Sequence, residues 1–409
     1  MKVCFVTANH PPEAVGGTEQ VVTALARELQ GLGTGITVLS GSDVPRGSAA
    51  AGPDDVRQER WQGVPVHRLF KQPDEYDRHG FVRPRLLGLL GQLLAREAPD
   101  LVHVHSLASL GTGVVALAAQ LGMPVVMTFH DLWVTCARFF RLPAGGVACP
   151  TGTDRTACVT CVNDALQTDP ATVAVGLRAR DAAISADLAQ VAVATAPSAT
   201  AARWVRDCAP YGRPIEVIPH GLLRTVPAAE RAVPPAAGER LRIGTFGGLV
   251  AEKGVRELVA AVAGLPVELH LAGPFHDAAF AAGIRDLAAR NGTGLVLRGR
   301  YGDGDRHPAR DLHLAVFPSK CQETYGLVVD EALAHGVPAV VSDAGALAER
   351  RGHGGVAVTP LGDLAPVLRG LVTCRDRLDA LRAAIPATLP TIAASARHHL
   401  ELYRRLARA

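Results

Sequence analysis

Apolar residues along this chain fall into two alternating patterns. Short continuous runs at 2–8, 35–40, 64–70, 100–105, 124–129, 190–194 and 214–218 read as buried strands. Between them apolar side chains recur at helical spacing, at 18–31, 84–96, 110–121, 172–188 and 200–208. The first helix carries its stripe on Val21, Val22, Leu25 and Leu29, with the Thr18 hydroxyl as the expected cap and Gly31 and Gly33 as the stop. Residues 219–238 shift to Pro, Ala and Gly and read as a linker. The alternation then resumes with strands at 240–246, 267–272, 294–298, 313–317 and 339–342, and a helix at 254–264. A final amphipathic helix covers 392–408. This order predicts an α/β protein of two doubly wound, Rossmann-like domains, 1–218 and 219–391, the second followed by a terminal helix at 392–409. Such sheets bind ligands where strand ends meet helix starts.

The densest chemistry lies at 318–343, a strand–loop–helix–strand unit. The amides of Tyr325, Gly326 and Leu327 are the expected unpaired donors of the helix's first turn, with the positive end of its dipole behind them. That is a seat for phosphate, and Gly326 lets an oxygen come close. Glu323 precedes the helix and Glu331 lies about two turns inside it. The first can face a reacting centre while the second accepts hydrogen bonds from hydroxyls such as a ribose's. Three further positions repeat the theme. Gly16 and Gly17 stand between the first strand and its helix, Lys253 stands at a helix start where a cation is misplaced unless an anion is present, and His130 follows a buried strand directly.

The stretch ETYGLVVDEALAHGVPAV at 323–340, with its Glu-x7-Glu spacing, resembles the signature of the retaining glycosyltransferases of the family-4 type. The resemblance implies the GT-B architecture, two domains facing a cleft, with the last helix crossing back to the N-terminal domain. Gly16, Gly17 and Glu19 match a G-G-x-E segment that in the family contacts the donor diphosphate or sugar. His130, in the setting TFHDLW, matches a histidine near the donor sugar and the acceptor. Thr324, Tyr325, Gly326, Leu327 and Glu331 fall on donor-binding positions, and Glu323 would support the sugar's anomeric centre. Lys253 matches the lysine of G-R-L-x-x-x-K-G, whereas Gly248 stands in place of its arginine. Either Arg298 or Arg300 compensates, or donor affinity is lower. PHGL at 219–222 replaces a common Pro-Asn-Gly, a departure with no evident consequence. The implied partner is a nucleotide diphosphate sugar of UDP or GDP type. Lys253 and the helix amides would stabilise the leaving diphosphate without a divalent metal. The loop at 299–306, where relatives hold the base, does not separate the two nucleotides.

Composition narrows the remaining classes. A length of 409 residues with 48% hydrophobic and 20% charged content suits two globular domains. A net charge of +3 is too weak to argue for nucleic acid. No run approaches the roughly 20 apolar residues of a membrane span. The apolar start breaks at Asn9, His10 and Pro11, so a first strand rather than a signal peptide is expected, with the cytoplasm as compartment. The Leu-rich helix at 84–96, flanked by Arg83 and Arg85, reads as a core helix, with peripheral membrane contact as the second reading. Cys136, Cys149, Cys158 and Cys161 crowd into a Gly/Pro-rich insertion at 136–161 that begins six residues after His130. Four thiols in such a loop suit a structural zinc, or an iron–sulfur cluster as runner-up. Similar insertions occur in a subset of the family, many of them polysaccharide enzymes. Two rivals to sugar transfer share the fold, a sugar-nucleotide epimerase and a nucleotide-binding scaffold. Acceptor, donor sugar and oligomeric state are not legible.

Overall fold

A computed structural model describes residues 1–44, 55–72, 75–76, 81–209, 211–302 and 304–407. Asp303, Arg408 and Ala409 of the segments discussed above lie outside them. The chain divides into two compact units, Met1–Leu223 with Thr391–Ala409, and Arg224–Pro390.

The first unit is built on strands β1 (Lys2–Thr7), β2 (Gly35–Ser42), β3 (Val56–Trp61), β4 (Val64–Phe70), β5 (Leu101–Val104), β6 (Val125–Thr128), β7 (Val193–Ala196) and β8 (Ile215–Val217). Their order in the sheet is β3-β4-β2-β1-β5-β6-β7-β8. All pairs are parallel except β3–β4. The second unit has β9 (Leu241–Phe246), β10 (Val267–Ala272), β11 (Gly294–Gly299), β12 (Leu314–Phe317), β13 (Ala339–Ser342) and β14 (Val356–Thr359), in the order β11-β10-β9-β12-β13-β14 and wholly parallel. Central strands such as β5, β6, β12 and β13 are buried at every residue, as continuous apolar runs between two helical layers require. In each sheet the strand order reverses once, between β1 and β5 and between β9 and β12, which marks the place where such folds bind ligands.

The antiparallel edge strand β3 is absent from the sequence reading, since its RQER core carries no apolar run. It is held instead by charge, the buried Arg68 of β4 donating to Glu59 at 2.6 Å. Several expected bounds shift for local reasons. The first helix begins at Gly17 with Gly16 as its cap, and the Glu19 carboxylate, not Thr18, accepts the Gly16 amide at 3.0 Å. The helix expected at 110–121 shortens to Val114–Gln120 because Gly111 and Gly113 have φ of +91° and +95°. The strand expected at 190–194 lies at 193–196, displaced by the turn that ends the helix Pro170–Leu188. Within the cysteine insertion Thr156–Leu166 is helical, with no buried side chain to announce it. The Leu-rich helix Pro84–Glu97 buries Leu86, Leu90, Leu93 and Leu94, and its basic flank is tied inward, Arg83 and Arg85 both meeting Glu75.

The last helix, Ile392–Leu406, belongs to the first unit. Thr391 caps it, Leu402 and Tyr403 are wholly buried, and the Tyr403 hydroxyl lies 2.5 Å from His103 Nδ1 on β5. Tyr403→Ala is therefore expected to destabilise the first unit by about 3–5 kcal/mol, while Tyr403→Phe, which keeps the ring, costs about 1 kcal/mol. Urea unfolding of the two variants checks the ratio.

Candidate active site

In the second unit the site forms where β9 and β12 diverge. After β9 the chain passes Gly247 and Gly248 into a single 3-10 turn, Ala251–Lys253, before the helix Val255–Ala261. Lys253 thus ends a turn rather than beginning the helix, with Gly254 at φ +72° between them. A Cβ on Gly254 would lie 1.9 Å from the Pro318 carbonyl oxygen, so only glycine lets the two loops approach. The amides of Lys320 and Cys321 bond the Glu252 carbonyl across the same gap. The result is a 2.6 Å ion pair between Lys253 Nζ and Glu323 Oε1, whose second donor is the Ser319 hydroxyl. Burial alone would lower the Lys253 pKa, but the Glu323 carboxylate outweighs it and raises it. The ammonium is therefore a permanent cation at this strand end.

Gly326, at φ +87°, caps the helix Leu327–Ala334, and a Cβ there would meet Leu347 at 2.7 Å. The amides of Leu327 and Val328 open this helix with no acceptor inside it. Its register is pinned by Asp330, fully buried and paired with Arg350 at 2.7 and 3.2 Å, and the Arg350 guanidinium lies over the Tyr325 ring. Glu331 lies on the same helix with His307 Nε2 3.7 Å from its carboxylate. Phe246, Tyr301 and His307 meet one another edge to face, and His307 stacks on His335 with centroids 4.5 Å apart. Of the two arginines expected to replace the missing cation, Arg298 is engaged by His270 and Asp311, and Arg300 is exposed.

In the first unit, Gly16, Gly17 and Glu19 lie at the start of the helix after β1, and His130 and Asp131 follow β6. Burial raises the carboxyl pKa of Glu19, and that of Asp131 to about 6. Asp131 accepts the Trp133 amide at 2.8 Å and the Ser106 hydroxyl at 3.2 Å, and the charge of Glu19 reaches it. His130 is buried, its Nε2 2.9 Å from His105 Nδ1 and its Nδ1 3.2 Å from His220 Nε2. Burial, then the neighbouring rings of His220 and His105, drive its pKa well below 6.5, so it is neutral near pH 7 and a weak base. Beside the loop after β1, the ammonium of Lys71 is buried on Asn9, Ser109 and Asp43, at 2.8 to 2.9 Å.

Cys136, Cys149, Cys158 and Cys161 line one small pocket, and burial raises the Cys149 thiol pKa to about 11. Arg138 and the Ala144 amide both donate to Cys161 Sγ at 3.3 Å. Among the described residues no three His, Cys, Asp or Glu side chains are grouped so as to hold a metal ion. No catalytic step is routed through this pocket.

Residues 15–222, just over half of the chain, match the family model described as Glycosyltransferase Family 4. The chain belongs to glycosyltransferase family 4. Residues 240–373 of this glycosyltransferase match a second model, Glycosyl transferases group 1. A GDP-mannose-dependent alpha-mannosyltransferase from Mycolicibacterium smegmatis is 26% identical, covering 98% of the chain and 90% of the relative. An MMP alpha-(1->4)-mannosyltransferase from Mycolicibacterium hassiacum is 30% identical over 31% of the chain and 36% of its own length. Among solved structures, Anabaena HepE in complex with UDP and glucose superposes with a TM-score of 0.66 at 17% identity, with 100% of both chains covered. The catalytic domain of Arabidopsis thaliana starch synthase IV, bound to ADP and acarbose, gives 0.62 at 16% identity over 100% and 99%. The fold is thus GT-B, and the protein is a hexosyl-type glycosyltransferase that uses a nucleotide sugar.

The structure brings Lys253, Glu323 and the Gly326–Leu327 amides to one strand end, with Glu331 on the same helix. It places Gly16, Gly17, Glu19 and His130 in the other unit. The sequence reading missed Lys71, the Asp330–Arg350 pair, His105 and the Phe246–Tyr301–His307 cluster. An acidic residue beside Glu331, and two ring side chains in the loop after β11, were the available signals.

Two outcomes follow from this geometry. Gly248 has ordinary backbone angles and no atom within 4 Å of an added Cβ. Gly248→Arg should fold normally and, by adding one charge-assisted bond to a diphosphate worth about 1.5 kcal/mol, lower the donor KM about tenfold in steady-state kinetics. The second concerns acid. His103, His105, His130, His220 and His399 are all buried with pKa values driven below 6.5, to about 3 for His220 and about 4 for His399. The unfolded chain therefore binds more protons than the folded one below 6.5, and stability falls as pH drops from there towards 4. The urea midpoint of the first unit should be flat from pH 8 to 7 and decline steeply from 6.5 to 5.

Proposed function

We propose that this enzyme transfers a hexosyl group from a nucleoside diphosphate sugar to an acceptor hydroxyl, with retention at the anomeric carbon. The observation that carries the reading is the meeting of Lys253, Glu323 and the opening amides of the helix Leu327–Ala334 at one strand end. The diphosphate would take Lys253 and those amides as its donors, with Glu331 on the ribose and the Phe246–Tyr301–His307 cluster beside the base. These fixed positive groups oppose the charge that grows on the leaving phosphate, which is electrophilic aid without a divalent ion.

One feature favours front-face attack. His130 is a weak base, so it offers no strong proton acceptor for displacement from the back face. On the front face the departing phosphate oxygen itself takes the acceptor's proton. Glu323 then supports the cationic character at the anomeric carbon.

The relative that spans the whole chain is named for GDP-mannose, and this makes GDP-mannose the first donor to test. The test is release of nucleotide from GDP-mannose, GDP-glucose, UDP-glucose and ADP-glucose, with and without EDTA. Slow release from GDP-mannose, unchanged by chelator, is expected, and Lys253→Met should reduce it by about 10²–10³. Nucleotide binding with no release from any donor would replace the transferase reading with that of a scaffold.

A further inference from the structure

The segment after β13 lies along the turn that runs from Glu323 into the helix Leu327–Ala334, residue against residue. Gly345, at φ +63°, bridges Glu323, and a Cβ on it would meet the Glu323 carbonyl oxygen at 2.3 Å. The Ala346 amide bonds that same carbonyl at 2.7 Å. Leu347 packs on Gly326, where an added Cβ would lie 2.7 Å from it. Arg350 ends the 3-10 turn Ala346–Arg350, and its guanidinium closes on two points at once. Nη1 and Nη2 reach the two Asp330 oxygens at 2.7 and 3.2 Å, and the guanidinium carbon lies 5.1 Å from the centre of the Tyr325 ring.

Both members of this pair are sealed from water, Asp330 at 0% and Arg350 at 7% exposure. Stability alone does not account for such a pair. Desolvation offsets most of the attraction, and apolar residues of similar volume often hold a fold as well. What a bidentate fork supplies and an apolar contact lacks is direction. Asp330 lies one turn inside the helix and Tyr325 stands just before it, so one guanidinium spans both sides of Gly326. Gly326 is where a brace matters. At φ +87° it has no side chain to resist rotation, and the amides of Leu327 and Val328 follow it directly. A swing there would re-aim both donors. Arg350 also cancels the Asp330 charge, which unpaired would oppose a phosphate at the helix start.

We propose that Arg350 is a positioning residue for the donor diphosphate, gripping Tyr325 and Asp330 in one fork so that the amides of Leu327 and Val328 stay aimed at the phosphate. It acts through these two residues and not on the donor itself. The inference rests on the reading above, which seats the diphosphate at this helix start.

The test uses the full-length protein, with GDP and UDP titrated by calorimetry and guanosine and uridine by saturation-transfer NMR. The key variant replaces the pair by apolar residues of similar size, Asp330→Leu together with Arg350→Met. Its urea midpoint should stay near that of the wild type. The Kd of the tighter nucleoside diphosphate should rise about tenfold, while that of the matching nucleoside is unchanged. On the donor that the panel identifies, kcat should fall about tenfold too. Arg350→Lys, which keeps the charge and loses the fork, should weaken the diphosphate about threefold or more. A stable double variant that binds the diphosphate as tightly as the wild type overturns the proposal. So does equal weakening of diphosphate and nucleoside, which marks a general loosening of the unit. If the double variant does not fold, Arg350→Lys decides: selective loss of diphosphate affinity supports the proposal, and wild-type affinity overturns it. A wild type that binds neither GDP nor UDP overturns the diphosphate seat and this proposal with it. Binding without turnover of any donor overturns the transferase reading alone, and the affinities still test Arg350.

Discussion

Lys253 and Glu323 are 70 residues apart in the chain, and their ion pair exists because two backbones touch at Gly254. Any side chain at Gly254 would drive its Cβ into the carbonyl of Pro318, 1.9 Å away, and push the 3-10 turn off the loop after β12. Much else at this strand end depends on that approach. It seats the amides of Lys320 and Cys321 on the Glu252 carbonyl, brings Ser319 and Lys253 onto the same carboxylate oxygen, and delivers the loop into Gly326 and its helix. A second close approach continues it. Gly345 runs against the Glu323 backbone, and Ala346 bonds the Glu323 carbonyl at 2.7 Å, so the carboxylate is clamped from both sides. The charge arrangement is thus held by backbone, which is stiffer than side chains and less dependent on solvent.

The strand end around Lys253 in the second unit and the histidine region of the first handle their polar groups in different ways. In the second, charges meet opposite charges: Lys253 with Glu323, Arg350 with Asp330, Arg306 with Asp311. A diphosphate bound there would compete with the carboxylate for the lysine. In the first, five histidines share a buried region in which their rings mainly face one another and neutral hydroxyls. Burial keeps them neutral, and their hydrogen bonds carry direction without net charge.

How far the sequence disclosed this follows from the range of each interaction. The alternation of strands and helices, the strand–loop–helix unit around Glu323 and the Glu-x7-Glu spacing are local patterns, legible in runs of fewer than twenty residues. The edge strand β3 was not, because an exposed strand stabilised by Arg68 and Glu59 has no apolar signature. Lys71 was missed for a related reason: nothing in its own segment tells that Asn9, from the loop after β1, and Ser109 will surround it. Asp330 reads as an ordinary helix-start acid until Arg350, twenty residues on, turns out to be buried against it. The cysteines converge on one pocket, as their spacing suggests.

His220 marks the limit most clearly. In the sequence it is one substitution in a four-residue motif with no consequence attached. In the structure, it meets His130, 90 residues earlier, and through it His105. A motif position is usually read for the ligand it contacts, so a residue that contacts another residue leaves no signature of its own type. The same logic bears on catalysis. A histidine whose two nitrogens are both engaged by other histidines cannot swing to meet a proton. What the structure gives it is a fixed, uncharged ring at the end of β6 rather than a mobile base.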